Sequence, residues 1–207
     1  MARPSVTDER RLQIIDAAGA VIAQRGVCDA RIADIANRLG ISPALVLYYF
    51  PSKDALLAEA LTRRDQRFFE AVAEASKGVE RASDRLRMVI EASCPPEPGS
   101  ERHDSEWHLW LEMWSRSRHD PALGAVRARM DGLFRALIAG VVGEGIATGE
   151  FDSSVDPERF AIVLTSLIDG LAIQVILGDP VVDSSTMRGL CLDLAAGQLG
   201  TAALNSA

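Results

Sequence analysis

The chain has 207 residues, 48% of them apolar, and a mean hydropathy of +0.08. This length suits one large domain, or a small domain joined to a larger one, with enough apolar material for a buried core. No apolar run approaches the roughly 20 residues of a membrane-spanning helix, and the N-terminus lacks the apolar stretch of a secretory signal. We therefore expect a cytoplasmic protein with no membrane segment.

Charge is distributed unevenly along the chain, although the net charge is −7. Residues 1–53 contain seven Lys and Arg against five Asp and Glu, a balance of +2, whereas residues 54–207 carry −9. Such a distribution is typical of a nucleic-acid-binding head on an acidic body. The three cysteines lie far apart without metal-ligand spacing, which predicts free thiols in a reducing compartment and no metal site: Cys28, Cys94 and Cys191.

Helical periodicity in the first part of the chain predicts four helices. They cover residues 7–24, 31–39 and 43–49, and a longer helix follows a Ser52 cap. Gly26 is expected to end the first helix, and Asp29 to cap the second. The apolar stripe that we expect the first helix to bury consists of Ile14, Ile15, Ala18, Val21 and Ile22.

The rest of the chain also reads as helix, so we predict an all-α fold. A breaker cluster at residues 94–100 predicts a mobile loop. Helices are expected beyond it, over residues 106–118, 121–148, 157–177 and 184–199. Capping side chains precede a proline at Ser42-Pro43, Asp120-Pro121 and Asp156-Pro157, a pattern that starts helices because the first turn does not need the missing N–H.

Residues 32–53 have the pattern of a helix-turn-helix, in which two short helices flank a three-residue turn that begins with Gly40. Ala36 permits close crossing of the two helices, and Gly40 supplies a left-handed turn residue. The small core of this motif is expected to consist of Ile35, Leu39, Ile41 and either Val46 or Leu47.

The segment resembles the TetR family of bacterial repressors over about residues 8–60. The matching features are the Ile-Ala pair of the second helix, Gly40-Ile41-Ser42, Tyr48-Tyr49-Phe50 and Lys53. The resemblance implies a three-helix DNA-binding domain over residues 1–53 whose third helix enters the major groove of operator DNA. Base contacts then fall to Ser42, Pro43, Ala44 and Leu45, and phosphate contacts to Tyr48, Tyr49 and Lys53.

Two positions depart from the family pattern. Leu47 stands where the family usually has Tyr, which removes a phosphate contact or passes it to Tyr48. Arg31 stands where Thr is common, and it predicts a charged phosphate contact at a helix start. The third helix is unusually apolar, so base reading is expected to lean on thymine methyls and DNA shape. The alternative role for Tyr48 and Tyr49 is to pack the head against the fourth helix.

Residues 54–207 resemble the C-terminal domain of the choline-responsive BetI-type branch of the family, through residues 110–123 and 167–171. The resemblance implies a homodimer joined by the last two long helices, a palindromic operator, and release of DNA by a small-molecule effector such as an amine. Residues 162–176 are apolar nearly all round, which agrees with a helix buried on more than one side.

The effector site is predicted around the three tryptophans of the chain, Trp107, Trp110 and Trp114, which share one helix face at 100° per residue. They form either an aromatic wall for a cationic or planar ligand or a stripe that packs the core. Met130 and Phe134 are expected to complete the lining. The acidic candidates are Asp169, Glu112 and Glu144, and Asp169 is also explained as a hydrogen-bonded structural residue.

Other functions find less support in the residues. There is no phosphate loop, no nucleophile elbow and no metal-spaced cluster, so we expect neither an enzyme nor a cofactor. His103, His108 and His119 are expected at the surface or at caps. A transcriptional activator and a non-DNA interaction module remain alternatives. A protein-binding head would expose Leu45 and Val46 as an apolar patch, whereas a DNA-binding head exposes Arg31, Tyr49 and Lys53.

Overall fold

The computed structural model describes residues 6–95 and 104–205, and within these residues every regular element is helical. The all-α prediction is confirmed. The elements are α1 Val6–Asp29, α2 Ile32–Leu39, α3 Pro43–Tyr49, α4 Lys53–Ala75, α5 Ala82–Ala92, α6 Asp104–Ser117, α7 Pro121–Thr148, α8 Pro157–Ile176, α9 Ser184–Leu199 and a short 3-10 helix, Ala202–Asn205. Of the predicted loop at 94–100, residues 96–100 lie outside the described part.

Local capping chemistry sets most of the helix starts, as expected. The Ser42, Asp120 and Asp156 side chains each accept a backbone N–H of the helix that follows. The predicted cap of α2 was wrong. Arg31, not Asp29, is its N-cap residue, and the Arg31 N–H donates to Asp34 Oδ2 at 3.1 Å. An acidic residue at the third helical position caps the helix from inside.

The chain divides into two compact units that do not follow its order: residues 1–66 with 101–128, and residues 67–100 with 129–207. The first unit contains α1 to α3 and α6, and α6 packs against α1. The predicted boundary at residue 53 separates a DNA-binding part from an effector-binding and dimerisation part, and it stays a prediction.

The core of the first unit includes the apolar stripe predicted for α1 and, from the first part of α4, buried Leu56, Leu57 and Leu61. All five residues of the α1 stripe are at most 5% exposed, and Gly26, with φ of 75°, breaks the helix where its end was expected. In the helix-turn-helix, Ile35, Ala36 and Val46 are buried. Val46 rather than Leu47 therefore completes the small core, while Leu39 and Ile41 are only half-buried.

In the second unit, α9 packs against both α5 and α8. Helix α5 was not separated from α4 by sequence reasoning. Its cap comes from a distant residue: the Glu150 carboxylate accepts the N–H groups of Ala82 at 2.9 Å and Ser83 at 3.2 Å, and the Ser83 hydroxyl at 3.0 Å.

Helix α8 is long and apolar enough to cross a membrane, by length and composition only. One of its faces is buried within the second unit, through Phe160, Leu164, Ile168 and Val175. On its other side Ile162 is 55% exposed. The buried face is typical of a core helix in a folded domain. The exposed apolar residues form a second face that no other described part of the single chain covers.

Candidate DNA-binding head and effector site

Helix α3 presents one face to solvent, and most of the predicted base-contact residues lie on it. Ser42, Pro43 and Ala44 are exposed, whereas Leu45 is half-buried. Tyr48 is 80% exposed, and its ring meets the ring of Tyr49 edge-on at 5.3 Å. Tyr48 is therefore not packed into the head, in contrast to the structural alternative considered for it.

Two cationic side chains lie at the starts of the helices that come before and after α3 along the chain. Arg31 is exposed at the start of α2, and Lys53 is half-buried at the start of α4, as is Tyr49 at the end of α3. Val46 is fully buried. Of the two residues that a protein-binding head was expected to expose, Val46 is thus buried and Leu45 is only half-buried, which favours the DNA-binding interpretation of the head.

Arg11 of α1 holds the end of α3 in place. Its guanidinium lies 4.6 Å from the Phe50 ring centroid and donates to the Tyr49 carbonyl at 3.4 Å. It also pairs with Glu59 of α4 at 2.7 Å. One side chain thus joins three helices next to the tyrosines. Sequence reasoning missed this role because its partners lie 38 and 48 residues away.

The three tryptophans form one cluster along α6. Trp110 is buried between its neighbours, with ring centroids 5.6 Å from Trp107 and 5.4 Å from Trp114. Arg64 lies over Trp107 at 5.3 Å and Arg127 over Trp114 at 5.2 Å. Trp114 Nε1 is buried with no hydrogen-bond partner in the structure. The shared face predicted for these residues is thus present, and cations already lie on two of its rings.

All but one of the other residues predicted near the effector belong to the second unit, the exception being Glu112. Met130 is buried, and Phe134 meets Phe68 edge-on at 5.8 Å. Asp169 is half-buried on α8 and is not without an interaction partner. Two further acidic candidates are paired with arginines, Glu144 with Arg85 at 2.6 Å and Glu112 with Arg116 at 3.0 Å.

Arg116, at the end of α6, also pairs with Asp54 in the first turn of α4 at 2.9 Å. Asp54 directly follows Lys53, a predicted phosphate contact. This pair therefore links the tryptophan helix to the base of the head within one unit.

The remaining titratable candidates show no sign of chemistry. Burial raises the pKa of Cys94 to about 11 and that of Cys191 to about 12, so both stay protonated thiols. The Cys28 and His108 side chains and His103 lie outside the described residues, and His119 is exposed. Within the described residues no group of His, Cys, Asp and Glu is arranged to hold a metal ion.

A helix-turn-helix with an exposed third helix and flanking cations, followed by further helices, defines a DNA-binding transcriptional regulator. Residues 14–60 match the model of bacterial regulatory proteins of the tetR family, and residues 82–200 match that of the BetI-type transcriptional repressor C-terminal region. The chain belongs to the TetR family, with a C-terminal region of the BetI-type repressors.

Individual relatives agree with this assignment. The HTH-type transcriptional regulator BetI of Cronobacter sakazakii is 30% identical, covering 94% of this chain and 93% of its own length. That of Paraburkholderia phymatum is 32% identical, with 91% and 92% covered. These relatives are transcriptional regulators, which confirms that the chain is a regulator and not an enzyme.

Solved structures share the fold. A transcriptional regulator from Saccharomonospora viridis in complex with choline has a TM-score of 0.81 at 34% identity, covering 90% of this chain and 95% of its own. A TetR transcription regulator from Haloarcula marismortui has a TM-score of 0.81 at 26% identity, covering 93% and 99%.

Proposed function

We propose that this BetI-type repressor acts as a homodimer on a palindromic operator and releases it when a small molecule binds near the tryptophan cluster. The observation that carries the proposal is the exposed face of α3, braced by Arg11 and accompanied by Arg31 and Lys53. Two such heads in a symmetric dimer match two operator half-sites about one helical turn apart.

In the proposed complex, the exposed face of α3 lies in the major groove. Its base contacts come from Ser42, Pro43, Ala44 and Leu45, as the family resemblance implies. Arg31, Tyr48, Tyr49 and Lys53 contact the phosphates on either side, where their contribution is electrostatic and depends on salt.

A DNA titration with the palindromes flanking the protein's own gene tests this assignment. Tyr49→Ala combined with Lys53→Ala should abolish specific binding, and the milder Tyr49→Phe with Lys53→Gln should weaken it without disturbing the fold. Because the variant loses one cationic phosphate contact per head, the slope of log affinity against log salt concentration should decrease by about 2 for the dimer. Lys77→Gln, the same charge change at the other lysine of the chain, serves as control and should bind like wild type.

If the Tyr49→Phe, Lys53→Gln variant binds with the affinity and salt dependence of the wild type, the phosphate-contact assignment is wrong. A reporter gene behind the operator separates repression from activation, because removal of a repressor raises expression whereas removal of an activator lowers it.

The proposed dimer contact lies on the last two long helices. Their exposed sides carry small and apolar residues at helical spacing, which allow two helices to approach closely: Ile162, Ser166 and Gly170 on α8, and Gly189, Leu190 and Gly197 on α9. Pairing this face with its copy would cover α8 on its second side. The same burial supports a cytoplasmic protein whose apolar helix stays out of the membrane.

Ile162→Glu tests the dimer because it places a charge within the proposed apolar contact. Sedimentation equilibrium should then give the monomer mass with helical content unchanged, and operator affinity should fall because two linked heads become independent. Val181→Glu, at an exposed apolar residue outside these helices, should stay dimeric. A dimer that tolerates Ile162→Glu would contradict the assignment.

The effector is proposed to be an amine, because tryptophan faces attract quaternary ammonium groups and a related structure contains choline. Arg64 and Arg127 already lie on the outer rings, so a cationic ligand has to use the remaining ring faces or displace a guanidinium. An oxygen on the ligand would find a donor in Trp114 Nε1. Met130, Phe134 and Asp169 stay predictions for the lining, each tested by substitution.

Tryptophan emission measures this binding directly, since all three tryptophans of the chain lie on α6. Titration with choline should change the emission, and 3,3-dimethylbutan-1-ol, which has the same shape without the charge, should bind at least tenfold more weakly. Equal affinity for the two compounds would contradict a cation–π site. If neither compound changes the emission, the tryptophans only pack the core.

A further inference from the structure

The exposed face of α3 is almost devoid of hydrogen-bonding groups. Pro43 and Leu47 lie four residues apart, as do Ala44 and Tyr48, so the four residues share one side of the helix. Leu47 is 46% exposed even though it is apolar, and Pro43 and Ala44 are exposed too. The sequence analysis treated Leu47 as a missing phosphate contact, whereas the structure places it on the exposed face of α3.

Polar atoms lie only at the two ends of this face, so its middle stays apolar. Ser42 Oγ caps the helix by accepting the Leu45 N–H at 3.2 Å. The Tyr48 hydroxyl lies at the other end. Between them α3 carries no Arg, Asn or Gln, the side chains that make paired hydrogen bonds to guanine or adenine.

Of the four bases, thymine alone presents a methyl group in the major groove. An aliphatic side chain in that groove therefore gains contact area beside thymine and leaves polar base edges unsatisfied beside the others. An apolar protein surface is a poorer match, because it offers no negative charge to exposed Arg31 and half-buried Lys53, whereas DNA offers phosphates.

We propose that Leu47, with Ala44 beside it, selects operator half-sites by contacting the C5 methyl groups of thymines. The proposal rests on the DNA-binding function proposed above and specifies which bases the recognition helix reads. Leu47 is then a specificity-determining residue in a position that the family more often gives to tyrosine.

Thymine-to-uracil replacement tests the proposal, because uracil keeps the Watson–Crick pairing and removes only the methyl group. Operators are first selected from random duplex DNA with the wild-type protein. Each thymine of the selected half-site is then replaced in both halves. Removal of a methyl from contact with Leu47 should weaken binding about fourfold per half-site, or roughly fifteenfold for the dimer.

Leu47→Ala provides the second arm of the experiment. It should weaken binding to the thymine operator and make the protein insensitive to uracil at the same position, since the partner of the methyl is gone. Leu47→Gln should shift the selected base at that position from thymine toward adenine. Leu177→Ala, the same truncation at a leucine that is 71% exposed in the other unit, should leave both affinity and uracil sensitivity unchanged.

A failure of thymine reading and a failure of DNA binding give different experimental results. Selected operators that tolerate uracil at every thymine, or a Leu47→Ala variant that keeps the full uracil effect, would overturn the methyl-reading role while leaving DNA binding intact. A random pool from which the wild-type protein enriches no sequence would overturn the DNA-binding function and the reading of thymine together.

Discussion

At the scale of single residues, Glu150 has a structural role that its position in a turn does not reveal. Partial burial raises the pKa of its carboxyl, but the hydrogen bonds from Ala82 and Ser83 and the charge of Arg81 outweigh burial and lower the pKa below the ordinary value of 4.5. The charged carboxylate is therefore the form that stabilises the start of α5.

Substitution of Glu150 should reveal this cap. Glu150→Ala leaves two N–H groups of buried residues without an acceptor and should lower the free energy of unfolding by about 2 kcal/mol at neutral pH. Urea denaturation measures the loss. The equivalent change at exposed Glu70, Glu70→Ala, should cost less than about 0.5 kcal/mol.

The pH dependence of Glu150→Gln checks the charge separately. Because the folded pKa lies below the unfolded one, the carboxylate stabilises the protein above about pH 4.5, and this stabilisation is lost as the pH falls through the lower folded value. The stability difference between wild type and Glu150→Gln should therefore shrink as the pH drops below 4.5. A difference that stays constant from pH 7 down to about pH 3 would mean that charge plays no part.

Gly145 offers a second residue-scale test, near the end of α7. A Cβ there would lie 2.2 Å from a Phe151 ring carbon and 3.0 Å from the Cβ of Ala82, whereas a Cβ at Gly140 of the same helix meets nothing within 4 Å. Gly145→Ala should thus destabilise the protein by about 1–3 kcal/mol, and Gly140→Ala should stabilise it by up to about 1 kcal/mol. Thermal unfolding of the two variants measures the difference. Equal unfolding midpoints for Gly145→Ala and Gly140→Ala would contradict the close contact.

At the scale of elements, the head depends on how α1 holds the recognition helix. Arg11 contacts the end of α3 and Glu59 of α4, but both side chains of the ion pair are about 40% exposed, so water weakens their attraction. The pair and the contact with Phe50 together should contribute about 1 kcal/mol. We expect their larger effect on the placement of Tyr48 and Tyr49, because Arg11 donates to the Tyr49 carbonyl.

Arg11→Met keeps the apolar stem and removes these contacts. Operator affinity should fall several-fold, because α3 is no longer fixed at its end, while the bulk helical content is unchanged. Arg10→Met removes the same charge one residue away and should cost clearly less affinity in the same titration. Equal losses would show that Arg11 acts only through the net charge of the head.

At the scale of the whole molecule, the proposed release mechanism is a shift between two conformers with different separations of the recognition helices. Coupling between an effector and a DNA site is typically about 1–3 kcal/mol. Helix α6 is suited to carry it, since it bears the tryptophans, packs against α1 and reaches Asp54 of α4 through Arg116. Crystals with and without effector should show different separations, and the same separation in both would contradict the mechanism.

Arg116→Met tests the link from α6 to α4. Choline should still change the tryptophan emission, but it should displace the protein from its operator several-fold less effectively than in wild type. Arg118→Met, at an exposed arginine two residues later, should retain full release. If Arg116→Met responds to choline like wild type, the ion pair does not take part in the coupling.

The sequence by itself determined the all-α class, the helix-turn-helix and most helix starts. These features rest on short-range physics: the 3.6-residue periodicity buries the α1 stripe, and Ser42, Asp120 and Asp156 accept N–H groups two or three residues away. The shared face of the tryptophans came from helical spacing, which is also a local pattern. The phosphate-contact residues came from family resemblance and stay a prediction.

Only the tertiary structure decided what depends on partners far along the chain. Glu150 caps α5 from 68 residues away, a contact that no local pattern shows. The local signal between α4 and α5, Gly78 with φ of 75°, was not used in the sequence analysis. Periodicity placed both Val46 and Leu47 near the motif's core, and packing buried Val46 and left Leu47 exposed. The contacts of Arg11 with α3 and α4, and of α6 with α1, form only when distant parts of the chain come together. Sequence periodicity defines which face of a helix is apolar, but the partner that covers it is chosen by folding.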